Sequence, residues 1–228
     1  LNVVFGGAYN QYNGDHFGNI QWARFASNSE IRDRYYDNTS TKGDGNAYLK
    51  ALYNRGKFTF FADLQLRRVS YTGSGLDNDQ FIINIDTAYT FFNPKGGFSY
   101  QISEKARAYA SVAVAQREPV RNDFLDAPSG GVPSRELLID YELGYDYQSD
   151  RGVFQANLFF MDYYDQLVLT GQVNDVGAVV RENVDRRNRA GIELMGGYRF
   201  NKYFQANANA TISENRILDY TNYIVNYD

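Results

Sequence analysis

Cysteine is absent from the 228 residues. That excludes a disulfide framework, a thiolate metal centre and a cysteine nucleophile. There is a single histidine, His16, so a multi-histidine zinc site is excluded as well. Proline is scarce, at 4, and there is one tryptophan. No stretch approaches the roughly 18 consecutive apolar residues of a membrane-spanning helix. An excess of basic residues is also missing: the net charge is −4, which argues against nucleic acid as a partner. The start, Leu1-Asn2-Val3-Val4-Phe5, carries neither an initiating Met nor a basic-then-apolar leader.

What is present is unusual in its rings. Tyr 20, Phe 16 and Trp 1 make up 16% of the chain, alongside 20 Gly. Hydrophobic residues reach 43% and charged residues 22%, a balance that disfavours wholesale disorder. Yet the mean hydropathy is negative. Abundant rings on a polar average fit a soluble β protein. They also fit a membrane β-barrel, whose strands alternate lipid-facing apolar with lumen-facing polar residues.

Alternation with period 2 is the strongest pattern, as a sheet with one apolar face requires. Phe204, Ala206, Ala208, Ala210 and Ile212 are separated by Gln205, Asn207, Asn209 and Thr211. Ile139, Tyr141, Leu143, Tyr145 and Tyr147 alternate with Asp140, Glu142, Gly144 and Asp146. Phe58, Phe60, Ala62, Leu64 and Leu66 oppose Thr59, Asp63, Gln65 and Arg67, with Phe61 breaking the rule. The stretches 107–117, 153–160 and 190–200 behave alike. The polar residues Asp63, Gln65, Arg67, Arg107, Arg117, Asp140, Glu142, Gln155, Asn157 and Glu193 fall on one common face.

The connections sort by length. Four are short and rich in turn formers: 54–57, 103–105, 149–152 and 201–202. The others, roughly 11–44, 72–86, 118–136 and 171–188, are long and polar. Strict alternation of short and long is the arrangement of outer-membrane barrels, with short turns on the periplasmic side. Rings flank the short turns: Tyr53 and Phe58, Phe98 and Tyr100, Tyr145, Tyr147 and Phe154, then Tyr198, Phe200, Tyr203 and Phe204. At one height they form a girdle at the lipid headgroups.

These patterns predict an all-β, antiparallel up-and-down fold, about nine strands of a larger transmembrane β-barrel. The expected strands are 1–10, 45–54, 57–71, 87–102, 105–117, 137–149, 152–170, 188–200 and 203–216. The end, 222–228, reads as loop. Single-chain bacterial barrels normally hold an even strand number, so the odd count predicts a segment of a larger barrel. Open edges on such a segment would invite pairing with another copy.

Several motifs, in order along the chain, resemble the barrel of TonB-dependent outer-membrane receptors of Bacteroides-type bacteria. They are 6–18 (GGAYNQYNGDHFG), 60–67 (FFADLQLR), and 92–100 (FNPKGGFSY), which is similar to the family's "NP+.G..Y" strand. Tyr109-Ala110-Ser111 and Arg117-Glu118-Pro119 match its "YAS…REP" continuation. Tyr141-Glu142-Leu143-Gly144, 162–167 (DYYDQL), and Asn183 with Ala190-Gly191-Ile192-Glu193-Leu194 complete the series. The resemblance implies a barrel of about 22 strands closed around an N-terminal plug. It implies import of a scarce nutrient, such as an iron chelate, haem, cobalamin or a glycan. Energy would come from the TonB complex through a plug this segment lacks, and outer-membrane lipid would surround the wall. No cofactor is implied.

For ligand contacts the candidates are Arg117, Arg121 and Asp123 in the connection at 117–136, and Arg67 on the polar face. An arginine fork matches carboxylates, which suits anionic chelates. Asp15-His16 and Asp77-Asn78-Asp79 gather hard oxygen ligands but lack the spacing of a calcium loop. Arg186-Arg187-Asn188-Arg189 reads as a solvated basic stretch. No Gly-x-Ser-x-Gly elbow occurs, and a triad would depend on His16, so no enzyme is expected. The alternative is a soluble β-rich binding module, lectin-like or adhesin-like.

Overall fold

The computed structural model describes residues 1–25, 30–127, 132–173, 177 and 179–218; the reading of 222–228 as loop lies outside them. The strands are β1 (Asn2–Asn19), β2 (Arg34–Arg55), β3 (Phe58–Leu76), β4 (Ile82–Ser103), β5 (Ala106–Arg117), β6 (Glu136–Gln148), β7 (Gly152–Val173), β8 (Val179–Arg199) and β9 (Gln205–Leu218). A short helix, α1 (Arg121–Leu125), lies between β5 and β6. Each strand pairs antiparallel with the next, so the nine form one open up-and-down sheet in chain order.

The sheet has two chemically distinct faces. Across the ladder Ala47, Leu66 and Phe92 stand in one row, as do Leu49, Leu64 and Pro94. Val112, Tyr141 and Phe160 form another row, and so do Ala156, Leu194 and Ala210. This apolar side is the outer face, since a barrel wall carries its apolar side outward. On β3 it runs from Phe58 to Leu66, on β8 from Tyr198 to Ala190, and on β9 from Ala206 to Ile212. Nine residues of tilted strand climb roughly 20 Å, near the height of a barrel's apolar band. The large apolar side chains of this band are exposed on the wall, Leu64 at 44% and Leu143 at 55%. The ten polar residues assigned to one face all project from the other, inner face.

Rings mark the lower edge of the band. Phe58 lies 4.7 Å from Tyr100 and 5.8 Å from Phe60, centroid to centroid, and Phe200 lies 5.0 Å from Tyr198. The rings around successive short turns thus share one face and one height. Phe61 breaks the alternation for a local reason. It points inward, opposite Gly97, and its ring occupies the space a side chain there would need. Tyr109 covers Gly144, and Phe159 covers Gly191, in the same cross-strand manner.

Above the band the faces exchange character. On the outer face of β3, Leu66 is followed by Arg68, Ser70 and Thr72; on β4, Phe92 gives way to Thr90, Ala88 and Asp86. On the inner face the same stretch carries Val69, Phe91, Ile85 and Ile83, all buried. The largest fully buried side chains among the described residues, Phe91, Ile83 and Val69, therefore lie on the inner side, past the lipid-height band.

The strands reach farther at this end than expected. β1 extends to Asn19, β2 begins at Arg34, β4 at Ile82 and β8 at Val179. Most of the stretches read as long loops at 11–44 and 171–188 are therefore paired strand. Polar residues occupy both faces of β2 from Thr39 to Asn46, so periodicity vanishes while the backbone ladder continues. The basic stretch 186–189 likewise lies within β8 rather than in a loop.

Candidate functional site

Three charged residues of the inner face, Lys42, Asp44 and Arg67, meet Glu118 just above the apolar band, where the connection after β5 folds back across β2, β3 and β4. Arg67, on β3, donates from Nε and Nη2 to Asp44 of β2, at 3.0 and 2.7 Å. Its Nη1 donates to Glu118 Oε2 at 3.0 Å. Lys42 donates to the other oxygen of Glu118 at 2.8 Å. The Glu118 side chain is only 8% exposed, so a buried carboxylate sits between two cations. Bidentate pairing of this kind gives direction as well as charge.

The two carboxyls respond as this geometry requires. The Arg67 hydrogen bonds hold Asp44 below its ordinary value against the opposing effect of burial. Burial alone would raise Glu118, but the hydrogen bonds and charge of Lys42, with Arg67, bring it below its ordinary value.

From this anchor the chain crosses the inner face as a strap. Arg121, at the start of α1, donates through Nη2 to Asn38 Oδ1 of β2 at 3.2 Å. Asp123 is buried in α1; its Oδ2 accepts the Val120 N–H at 2.8 Å, and Oδ1 faces Arg181 of β8 at 3.6 Å. Farther along, Ser134 N–H donates to Asn183 Oδ1 at 2.9 Å, and the amide of Asn183 donates back to Ser134 C=O. The strap therefore ties the β2–β4 side of the wall to β8. Above Lys95, β4 has no ladder register with β5, and Gln116 of β5 donates across that interruption to Phe92 C=O at 2.8 Å.

Arg117 stands apart from this cluster. It lies opposite Glu136 in the β5–β6 ladder and pairs with it at 2.8 Å. Of the four candidates, then, Arg67 anchors the strap through Glu118, Arg121 reaches from the strap to Asn38 of β2, Asp123 is turned into the strap, and Arg117 belongs to the neighbouring strand pair. Lys42, Asp44 and Glu118 were missed as site residues. Glu118 lies inside the Arg-Glu-Pro motif, a signal in plain view; Lys42 and Asp44 sit where the alternation fails.

Beneath the strap is a cavity of about 210 Å³. Its walls include Tyr12, His16, Tyr71 and Tyr89, and its roof includes Pro119 and Arg121. On the outer face, at the rim of the band, Asp162 accepts from Arg186 Nε and Nη2 at 2.9 and 2.8 Å and from Tyr164. Among the described residues no group of three or more His, Asp or Glu is placed to hold a metal. Asp77 uses Oδ1 to accept the N–H groups of Asp79 and Phe81, which shapes a turn.

The model of the family described as "TonB dependent receptor-like, beta-barrel" matches residues 1–227. A search of curated proteins gives no match. Among solved structures, the copper transporter OprC is 15% identical with a TM-score of 0.76, covering 94% of this chain and 35% of its own. The ferric-catecholate import receptor Fiu of E. coli K12 is 16% identical with a TM-score of 0.67, over 95% of this chain and 35% of its own. The FrpB iron transporter of Neisseria meningitidis is 22% identical with a TM-score of 0.59, over 78% of this chain and 26% of its own. The chain thus spans between a quarter and about a third of these structures. At such identities the likeness speaks for the fold, and the fold agrees with the face pattern, the ring girdle and the hairpin order. Matched by the family model almost end to end, this chain belongs to the TonB-dependent receptor β-barrel family, whose members are transport receptors of the outer membrane.

Proposed function

We propose that this chain is a wall segment of an active-transport receptor that binds a scarce nutrient outside the cell and imports it with TonB-derived energy. The plug that receives that energy, and the strands that close the barrel, belong to other parts of such a receptor. The observation that carries the reading is the exchange of faces. A lipid-height apolar band lies outside, and a charged, cavity-bearing surface lies inside just above it, where a ligand arriving from the medium first meets the wall.

An iron chelate is the nutrient best supported, ahead of haem, cobalamin or a glycan. Similar folds occur in FrpB and Fiu, an iron transporter and a ferric-catecholate receptor. Arginine-rich inner surfaces suit anionic chelates. Arg67, Arg117 and Asp123 are already in ion pairs, so they shape the wall, and Arg121, bonded only to the neutral Asn38 among the described residues, is the candidate left to meet ligand.

The test is uptake. A strain lacking the gene is compared with its parent for radiolabelled iron uptake from ferric citrate and a ferric catecholate, and for growth on haem, cobalamin or oligosaccharide. Loss of iron uptake alone supports the reading; unchanged iron uptake with loss of growth on a glycan overturns the iron assignment.

A further inference from the structure

We infer that the cavity beneath the strap is a binding site for a single aromatic ring carrying one anionic group. The inference deepens the receptor reading, on which its biological sense rests, by naming the chemistry one site on the wall would accept.

Size is the first constraint. At about 210 Å³ the space is somewhat larger than an engineered cavity of about 150 Å³ that holds benzene. One substituted ring fits; a whole chelate does not. The lining is the second constraint. Tyr12, Tyr71 and Tyr89 and the ring of His16 surround the space, with Val69 fully buried at its floor. Aromatic walls favour a flat guest through offset and edge-to-face contact.

Charge is the third constraint and decides the sign. Lys42 and Glu118, also at the cavity, satisfy each other at 2.8 Å, and Arg67 completes Glu118. Arg121 differs. It lines the cavity, its one hydrogen bond among the described residues goes to a neutral acceptor, Asn38 Oδ1, and it forms no ion pair among them. A guanidinium at the wall of an aromatic cavity, without a carboxylate partner, favours a guest that brings a carboxylate or comparable anion to it through charge-assisted hydrogen bonds. The same site would reject a cation. His16 faces Tyr12 across 3.4 Å and offers a polar edge without a negative charge.

The experiment uses the complete protein that carries this chain, purified in detergent, with benzoate as probe and benzylamine and acetate as comparisons. Titration calorimetry should show saturable benzoate binding in the millimolar range, the scale for a guest of this size. Benzylamine, which has the ring but the wrong charge, and acetate, which has the charge but no ring, should each bind at least tenfold more weakly. Arg121→Gln should lower benzoate affinity at least tenfold. Thr87→Phe, which fills the cavity from β4 without touching charge, should abolish binding. Retained heat-modifiable migration on gels shows that each variant keeps its barrel. No saturable benzoate binding, equal binding of benzylamine, or unchanged affinity in both variants overturns the proposal. Any of these would leave the uptake experiment untouched, so the two readings fail separately.

Discussion

The guanidinium of Arg67 and the carboxylate of Glu118 meet at 3.0 Å although 51 residues separate them in the chain. One belongs to a wall strand and the other to the connection that folds over the wall. Their pairing fixes where the strap lands. Because Glu118 is buried and bonded by both Arg67 and Lys42, this contact is unlike a surface ion pair, which contributes little.

Glu118→Ala is expected to leave Arg67 and Lys42 facing each other without their shared acceptor. The cost should be about 2 kcal/mol, below that of a fully buried pair because both cations keep some solvent. Protease sites within 118–126 should become accessible while the band strands stay protected. Limited proteolysis read by mass spectrometry checks this, and unchanged protection would remove the anchor role.

Acid should release the strap in a definite pH window. Asp44 and Glu118 both sit below their ordinary values in the folded chain. A depressed carboxyl stabilises the fold fully above its unfolded value, about 3.9 for Asp and about 4.3 for Glu, and loses that contribution as pH falls through the folded value. Hydrogen-exchange protection in 118–126, taken relative to the intrinsic exchange rate at each pH, should therefore be flat from neutral pH down to about 4.5 and fall below it. Glu118→Gln should flatten the acid limb; an unchanged limb in that variant would point to other groups.

Two neighbouring substitutions on β9 separate the faces. Ala208→Arg puts a charge in the lipid-facing band, at a cost of about 2–4 kcal/mol near mid-height, and should stop assembly into the outer membrane. Asn209→Arg, on the inner face, should assemble normally. Outer-membrane fractionation of the full protein with both variants decides it, and equal assembly would contradict the face assignment.

Gly144→Val should push Tyr109 from its place over the neighbouring strand, costing about 1–3 kcal/mol as an overpacking change. Tyr109→Ala in the same molecule should restore part of the loss. A double-mutant cycle on the heat-modification midpoint measures the coupling. Strictly additive effects would show that the ring does not sit where the structure places it.

The band was legible in the sequence because an apolar surrounding on one side and water on the other enforce period 2, as in Phe204, Ala206, Ala208 and Ala210. Beyond the band that constraint ends. Thr39, Ser40, Thr41 and Lys42 show no periodicity, so paired strand there read as loop. The site suffered most, because it is assembled from that region. Arg67 could be placed on the inner face by counting, but its partners Asp44 and Glu118 follow from pairing register and from a strap whose landing point no local pattern encodes.

The exchange of faces between Leu66 and Arg68 has a bearing on how the sheet finds its alignment. Simple alternation forbids a strand from sliding past its neighbour by one residue, because every side chain would change sides, but it tolerates a slide of two. Here a slide of two would set Arg68 beside Phe92 in place of Thr90, carrying a guanidinium down into the oily layer. The transition is a waterline drawn on the wall. Each strand that carries it must match its neighbour's mark, so the bilayer surface itself selects the alignment that alternation alone leaves degenerate.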